Sequence, residues 1–71
     1  MVNVNKLKAK FVERGMSIEQ AAEFVGIERS KLYRRFREPT SFSISEVNNI
    51  VHALQLTAED AMAIFFADEV A

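Results

Sequence analysis

The stretch from Ser17 to Arg37, SIEQAAEFVGIERSKLYRRFR, leaves this chain few ways to fold. Gly26 is its pivot. Glycine takes φ > 0 without a Cβ clash, so it can end one helix and turn the chain into the next. The residues before it, Ile18 to Val25, form one predicted helix, and Arg29 to Phe36 form another. Ala21 and Ala22 are small, which lets the second helix lie close against the first. Ile27 and Leu32 supply the apolar contacts that fix how the two cross.

Two helices crossing over a glycine turn make a helix-turn-helix unit, whose second helix can enter a DNA major groove. On that second helix Arg29, Ser30, Lys31, Tyr33, Arg34 and Arg37 are left facing outward. Five cations lie between Arg29 and Arg37, counting Arg35, with no acid among them. A solvated helix ordinarily mixes both signs. A helix carrying one sign points to a polyanion as partner.

The net charge of −1 argues against that partner only until the charges are placed. Residues 1–37 hold all nine Lys and Arg against four acids, a balance of +5. Residues 38–71 hold six acids and no Lys or Arg, a balance of −6. One part of the molecule attracts phosphate and another repels it.

Seventy-one residues are expected to make one all-α domain, 1–71. A chain so short buries roughly 60% of its unfolded surface, so added stability from self-association is expected. There is no cysteine, hence no disulfide and no thiolate metal site. No apolar run approaches the roughly 20 residues that span a bilayer. Lys6, Lys8 and Lys10 interrupt any leader-like apolar stretch, which predicts a cytoplasmic protein.

The remaining elements follow from caps and spacing. Asn3 is a fair N-cap for a first helix running to about Arg14, with Val4, Leu7, Phe11 and Val12 as its buried stripe and Gly15 as its stop. Ser17 and Gln20 fit a capping box for the second helix, whose core face is Ala21, Ala22 and Val25, with Phe24 left open. Glu28 or Arg29 opens the third helix without a strong cap, and Glu38-Pro39-Thr40-Ser41 ends it. Ser43 and Glu46 form a second capping box, with Ile44, Val47, Ile50, Val51 and Leu54 as the apolar stripe that follows. Thr57 caps a fifth helix with Asp60 at the capping-box position, and Ala61, Met62, Ile64 and Phe65 are candidates for burial.

The sequence resembles the lambda-repressor-like DNA-binding domain of the Cro and phage-repressor type. Met16-Ser17, Glu19, Ala22, Gly26-Ile27, Ser30, Leu32 and Arg34 carry the resemblance, together with Ser43-Ile44, Val47, Ile50, Ala53-Leu54, Leu56 and Thr57. It runs from about Lys6 to Phe65. The whole chain also looks like small regulators encoded in prophages of Gram-positive bacteria. The resemblance implies a compact five-helix fold and a repressor-like transcription regulator. It places Glu28, Arg29, Ser30, Lys31, Tyr33 and Arg34 at base edges or flanking phosphates; Arg37, just past the helix, suits phosphate. Two positions depart from the family. Ile18 stands where a phosphate-contacting Gln is common, and Arg35 where an apolar core residue is usual, with Phe36 expected to take over that packing.

The alternative is a modulator or antirepressor of the same fold that binds another regulator, using the acidic second half. Lys6, Lys8, Lys10 and Arg14 are either phosphate contacts or solvated charges, and solvation is favoured for at least two. His52 is read as a surface residue, not a metal ligand. The neighbouring acids Glu59-Asp60 and Asp68-Glu69 point apart on a helix and form no acid–base couple. No catalytic residue, cofactor, metal or small-molecule ligand is expected. Ile64, Phe65, Phe66 and Val70 exceed what a small core absorbs, and are read as a candidate homodimer interface.

Overall fold

Three of the four inter-helix junctions in this chain are built alike, and they set the architecture. In the computed structural model, which describes residues 2–67, the helices are α1 (Val4–Glu13), α2 (Ile18–Val25), α3 (Arg29–Arg37), α4 (Ile44–Leu54) and α5 (Ala58–Phe65), with a 3₁₀ turn at Pro39–Ser41. No strand occurs among the described residues. After α1, α2 and α4 comes a left-handed residue: Gly15 (φ 68°), Gly26 (φ 74°) and Gln55 (φ 50°). The next residue's N–H closes back onto the helix, Met16 onto Phe11 O, Ile27 onto Ala22 O and Leu56 onto Val51 O, at 3.0–3.1 Å. This is the Schellman closure, which satisfies carbonyls the helix leaves orphaned and turns an apolar side chain inward. Ile27 is buried, and Met16 and Leu56 pack against the core.

The residue after each closure starts the following helix. Ser17 accepts from Gln20 N while Gln20 returns the bond to Ser17 N, and Ser43 and Glu46 do the same. Thr57 accepts from Asp60 N, but the expected reciprocal half is absent because the Asp60 carboxylate turns to Lys10 Nζ at 3.3 Å. Glu28 precedes α3 without a side-chain cap. The fourth junction is longer: Glu38, held at φ −128° and ψ 74° before Pro39, cannot continue α3, and the 3₁₀ turn leads to Ser43.

The core is Leu7 and Phe11 from α1, Ala21, Ala22 and Val25 from α2, Ile27, Leu32 from α3, Ile50 and Leu54 from α4, and Ile64 and Phe65 from α5. α2 packs against both α3 and α4, and α1 packs against α5. Asn3 N–H donates to Ile64 O at 2.6 Å, tying the two ends of the described chain together. Phe42 meets Phe65 edge-on at 6.1 Å, so the 3₁₀ exit is pinned to α5.

Several side chains lie elsewhere than the periodicity indicates. Val12 is 71% exposed, because α5 covers the Leu7–Phe11 face and the next residue on a helix points roughly 100° away. Ile44 is 82% exposed. The buried stripe of α4 centres near Ile50 and Leu54, and Ile44, in the first turn, stands roughly 100° off that line. Met62 is 40% exposed on α5, and Phe24 lies at the surface beneath the Arg14 guanidinium.

Candidate nucleic-acid interface

α3 is held by its inner stripe. Leu32 is fully buried and Phe36 packs against the core. Between them Arg35 turns inward to α4: its Nε donates to Glu46 Oε1 at 2.9 Å and its Nη2 to Glu46 Oε2 at 3.2 Å. The Arg35 bonds hold the Glu46 carboxyl below the usual carboxylate range, and the same pairing raises Arg35. Of the five cations on this segment, Arg35 is thus paired with an acid of α4, which leaves four.

Those four, Arg29, Lys31, Arg34 and Arg37, are exposed, and none forms an ion pair with a carboxylate of the described residues. Ser30 and Tyr33 share the same outward surface. Nine residues of helix make a rod roughly 14 Å long, anchored on its inner side by Leu32, Phe36 and Arg35. α3 thus presents a positively charged ridge.

The two hydroxyls on the ridge are engaged within the chain. Ser30 donates to Glu28 Oε1 and Tyr33 to Glu19 Oε2, both at 2.5 Å. The Tyr33 bond, with the Glu19 backbone amide and the Arg29 charge, lowers the Glu19 carboxyl, and the same bond raises the Tyr33 phenol. Glu19 thereby joins the surface from α2, which no local spacing signals: the partners are 14 residues apart and meet only because the Gly26 turn folds α3 back on α2. Ile18 packs against the core, so the start of α2 offers no donor at that position.

The cations of α1 divide. Lys10 bridges to Asp60 and Glu13, and Arg14 donates from Nη2 to Leu54 O at 2.8 Å while covering the Phe24 ring. Both are occupied with holding α1 to its neighbours. Lys8 instead sits over the Phe36 ring at 5.2 Å, on the flank of α3. Lys6 is exposed beside Glu59 and Asp60, away from the ridge.

The candidate dimer residues are not brought together on the surface. Ile64 is 1% and Phe65 5% exposed, so both belong to the core that closes over α1 and are withdrawn as interface residues. Phe66 is exposed, and Val70 lies outside the described residues. Phe66 borders a groove of about 450 Å³ that also takes in Val2, Phe42, Ile44, Val47 and Val51. Its lining includes Thr40 and Asn48 but no charged side chain. His52 is exposed on α4, and no group of three or more His, Asp or Glu among the described residues could hold a metal ion. No helix among the described residues is long and apolar enough to cross a membrane.

No family model, no curated protein and no solved structure matches this chain.

Proposed function

We propose that this protein is a sequence-specific double-stranded DNA-binding transcription regulator of the lambda-repressor-like, Cro and phage-repressor type, with α3 in the major groove. The observation that carries this reading is the α3 ridge: four exposed cations without carboxylate partners among the described residues, on a helix anchored by its opposite side. The major groove, roughly 12 Å wide, admits one α-helix. Arg34 and Arg29 suit guanine O6 and N7, and Lys31 and Arg37 suit phosphate. Lys8, beside Phe36, extends the positive surface toward the flanking backbone.

The reading includes a homodimer. The groove bordered by Ile44 and Phe66 is apolar and uncharged, so two copies can meet across it without like charges opposing each other. Two recognition helices so related would address half-sites about one helical turn apart.

The test is selection of bound sites from a random duplex pool, followed by salt titration of the enriched site. A DNA-binding regulator enriches a near-palindrome, and its log K falls with log salt by about 0.9 per phosphate neutralised. Failure to enrich any duplex, with binding seen only to another regulator protein, assigns the chain instead to the modulator or antirepressor class. The acidic balance of residues 38–71 favours that second reading.

A further inference from the structure

We propose that Glu19 and Glu28 set sequence selectivity on the α3 ridge, by disfavouring phosphate and favouring base pairs that present an amino donor in the major groove. The inference rests on the nucleic-acid reading above. Ser30 and Tyr33 carry the only uncharged polar side chains on the ridge, and each gives its proton to a carboxylate of this chain. A hydroxyl has one proton to donate. With that proton committed, the Glu28–Ser30 and Glu19–Tyr33 pairs offer only acceptor oxygens outward.

A phosphate is likewise an acceptor and is negative. The pairs therefore oppose any register that sets them against the DNA backbone, while the four cations of the ridge attract that backbone everywhere. The exocyclic amino groups of cytosine N4 and adenine N6 are the donors the major groove presents. Opposite one of them, a carboxylate–hydroxyl pair gains a hydrogen bond instead of a repulsion. Ile18 is packed inward, so the side chain at that position adds no phosphate donor to offset the Glu19 charge.

The experiment compares wild type with Glu19→Gln, Glu28→Gln and the double variant on two duplexes of equal length: the site enriched from the random pool, and a scrambled one. Both glutamates are exposed, and glutamine keeps their size, so thermal melts are expected to be nearly unchanged. Removing one like charge near phosphate is expected to raise affinity for the scrambled duplex about fivefold. The ratio of enriched-site to scrambled affinity falls by at least that factor, and the double variant, reselected, loses a cytosine or adenine preference in each half-site. Equal gains on both duplexes, or no gain on either, overturn the assignment while leaving DNA binding intact. If neither wild type nor any variant binds a duplex at low salt, the nucleic-acid reading fails and the assignment falls with it.

Discussion

Arg35 and Glu46 form a two-pronged ion pair, Nε to Oε1 at 2.9 Å and Nη2 to Oε2 at 3.2 Å, that ties α3 to the first turn of α4. The same Glu46 carboxylate accepts from Ser43 N at 2.9 Å, so one side chain closes the α4 cap and fixes the azimuth of α3. Loss of the carboxylate in Glu46→Ala removes both interactions and is expected to cost about 2 kcal/mol. Glu46→Gln can keep the cap through its amide oxygen, but it removes the charge and one of the two oxygens that accept from Arg35.

That distinction gives a pH test. The Glu46 carboxyl is held below its ordinary value of 4.5 in the folded protein, chiefly by Arg35. A depressed folded value means the stabilisation is fully present above the unfolded carboxylate range. It is lost as pH falls from about 4.5 through the folded value. Thermal melts should therefore show wild type well above Glu46→Gln at pH 7, with the gap closing below pH 4. A gap that stays constant down to pH 3 would mean that the Glu46 charge contributes nothing to folding.

The elements legible in the sequence are those whose cause lies within about four residues. The Ser17–Gln20 and Ser43–Glu46 boxes close across three positions, and Gly15 and Gly26 need no partner to turn left-handed. What the sequence hid depends on which helix lies across the way. Val12 and Ile44 satisfy an apolar period yet stand outside the strip a neighbouring helix covers. Arg35 reads as one more basic residue on a basic helix until α4 brings Glu46 beside it, 11 positions on. Ile64 and Phe65 read as surplus because the core they complete is made by α1, some fifty residues earlier in the chain. In the candidate interface, the outward cations followed from spacing, whereas Glu19 did not.

The three Schellman closures give a stability prediction of opposite sign at two positions. Gln55 holds φ 50° and ψ 47°, a conformation that costs a side-chain-bearing residue roughly 1 kcal/mol and glycine almost nothing. Gln55→Gly is expected to stabilise the protein by about 0.5 kcal/mol after the extra freedom of the unfolded chain is subtracted. At Gly26 an added Cβ meets no atom within 4 Å, so Gly26→Ala tests backbone preference without a clash. It is expected to destabilise by about 1 kcal/mol. Urea unfolding of both variants checks the pair; a stable Gly26→Ala beside a weakened Gln55→Gly would contradict the left-handed assignment at both.

Self-association should be sensitive at the groove and not in the core. Phe66 and Ile44 are exposed at its border, so polar replacements there leave the folded subunit intact. Sedimentation at micromolar concentration is expected to give a dimer for wild type and a monomer for Phe66→Ser and Ile44→Ser. Both variants should melt at a temperature set by the subunit alone. A wild-type monomer, or dimers that persist in both variants, rules this surface out as the contact.

If α3 binds DNA as proposed, Arg34 and Arg37 are expected to separate sequence reading from positioning on one helix. Arg34 lies one residue after Tyr33 on the outward side, within the regular part of α3; Arg37 is the last residue of the helix, next to the Glu38–Pro39 turn. A guanidinium in the middle of the rod meets base edges, where two parallel bonds to guanine discriminate against other bases. One at the end of the rod meets the backbone, where contact is the same for every sequence. Arg34→Ala is expected to lower affinity for the enriched site about tenfold with little change on scrambled duplex. Arg37→Ala should weaken both alike and flatten the dependence of log K on log salt by about 0.9. Parallel titrations of both variants on both duplexes decide the matter. Equal losses everywhere for Arg34→Ala would place that residue on the phosphates and leave sequence reading to Arg29 and the carboxylate pairs.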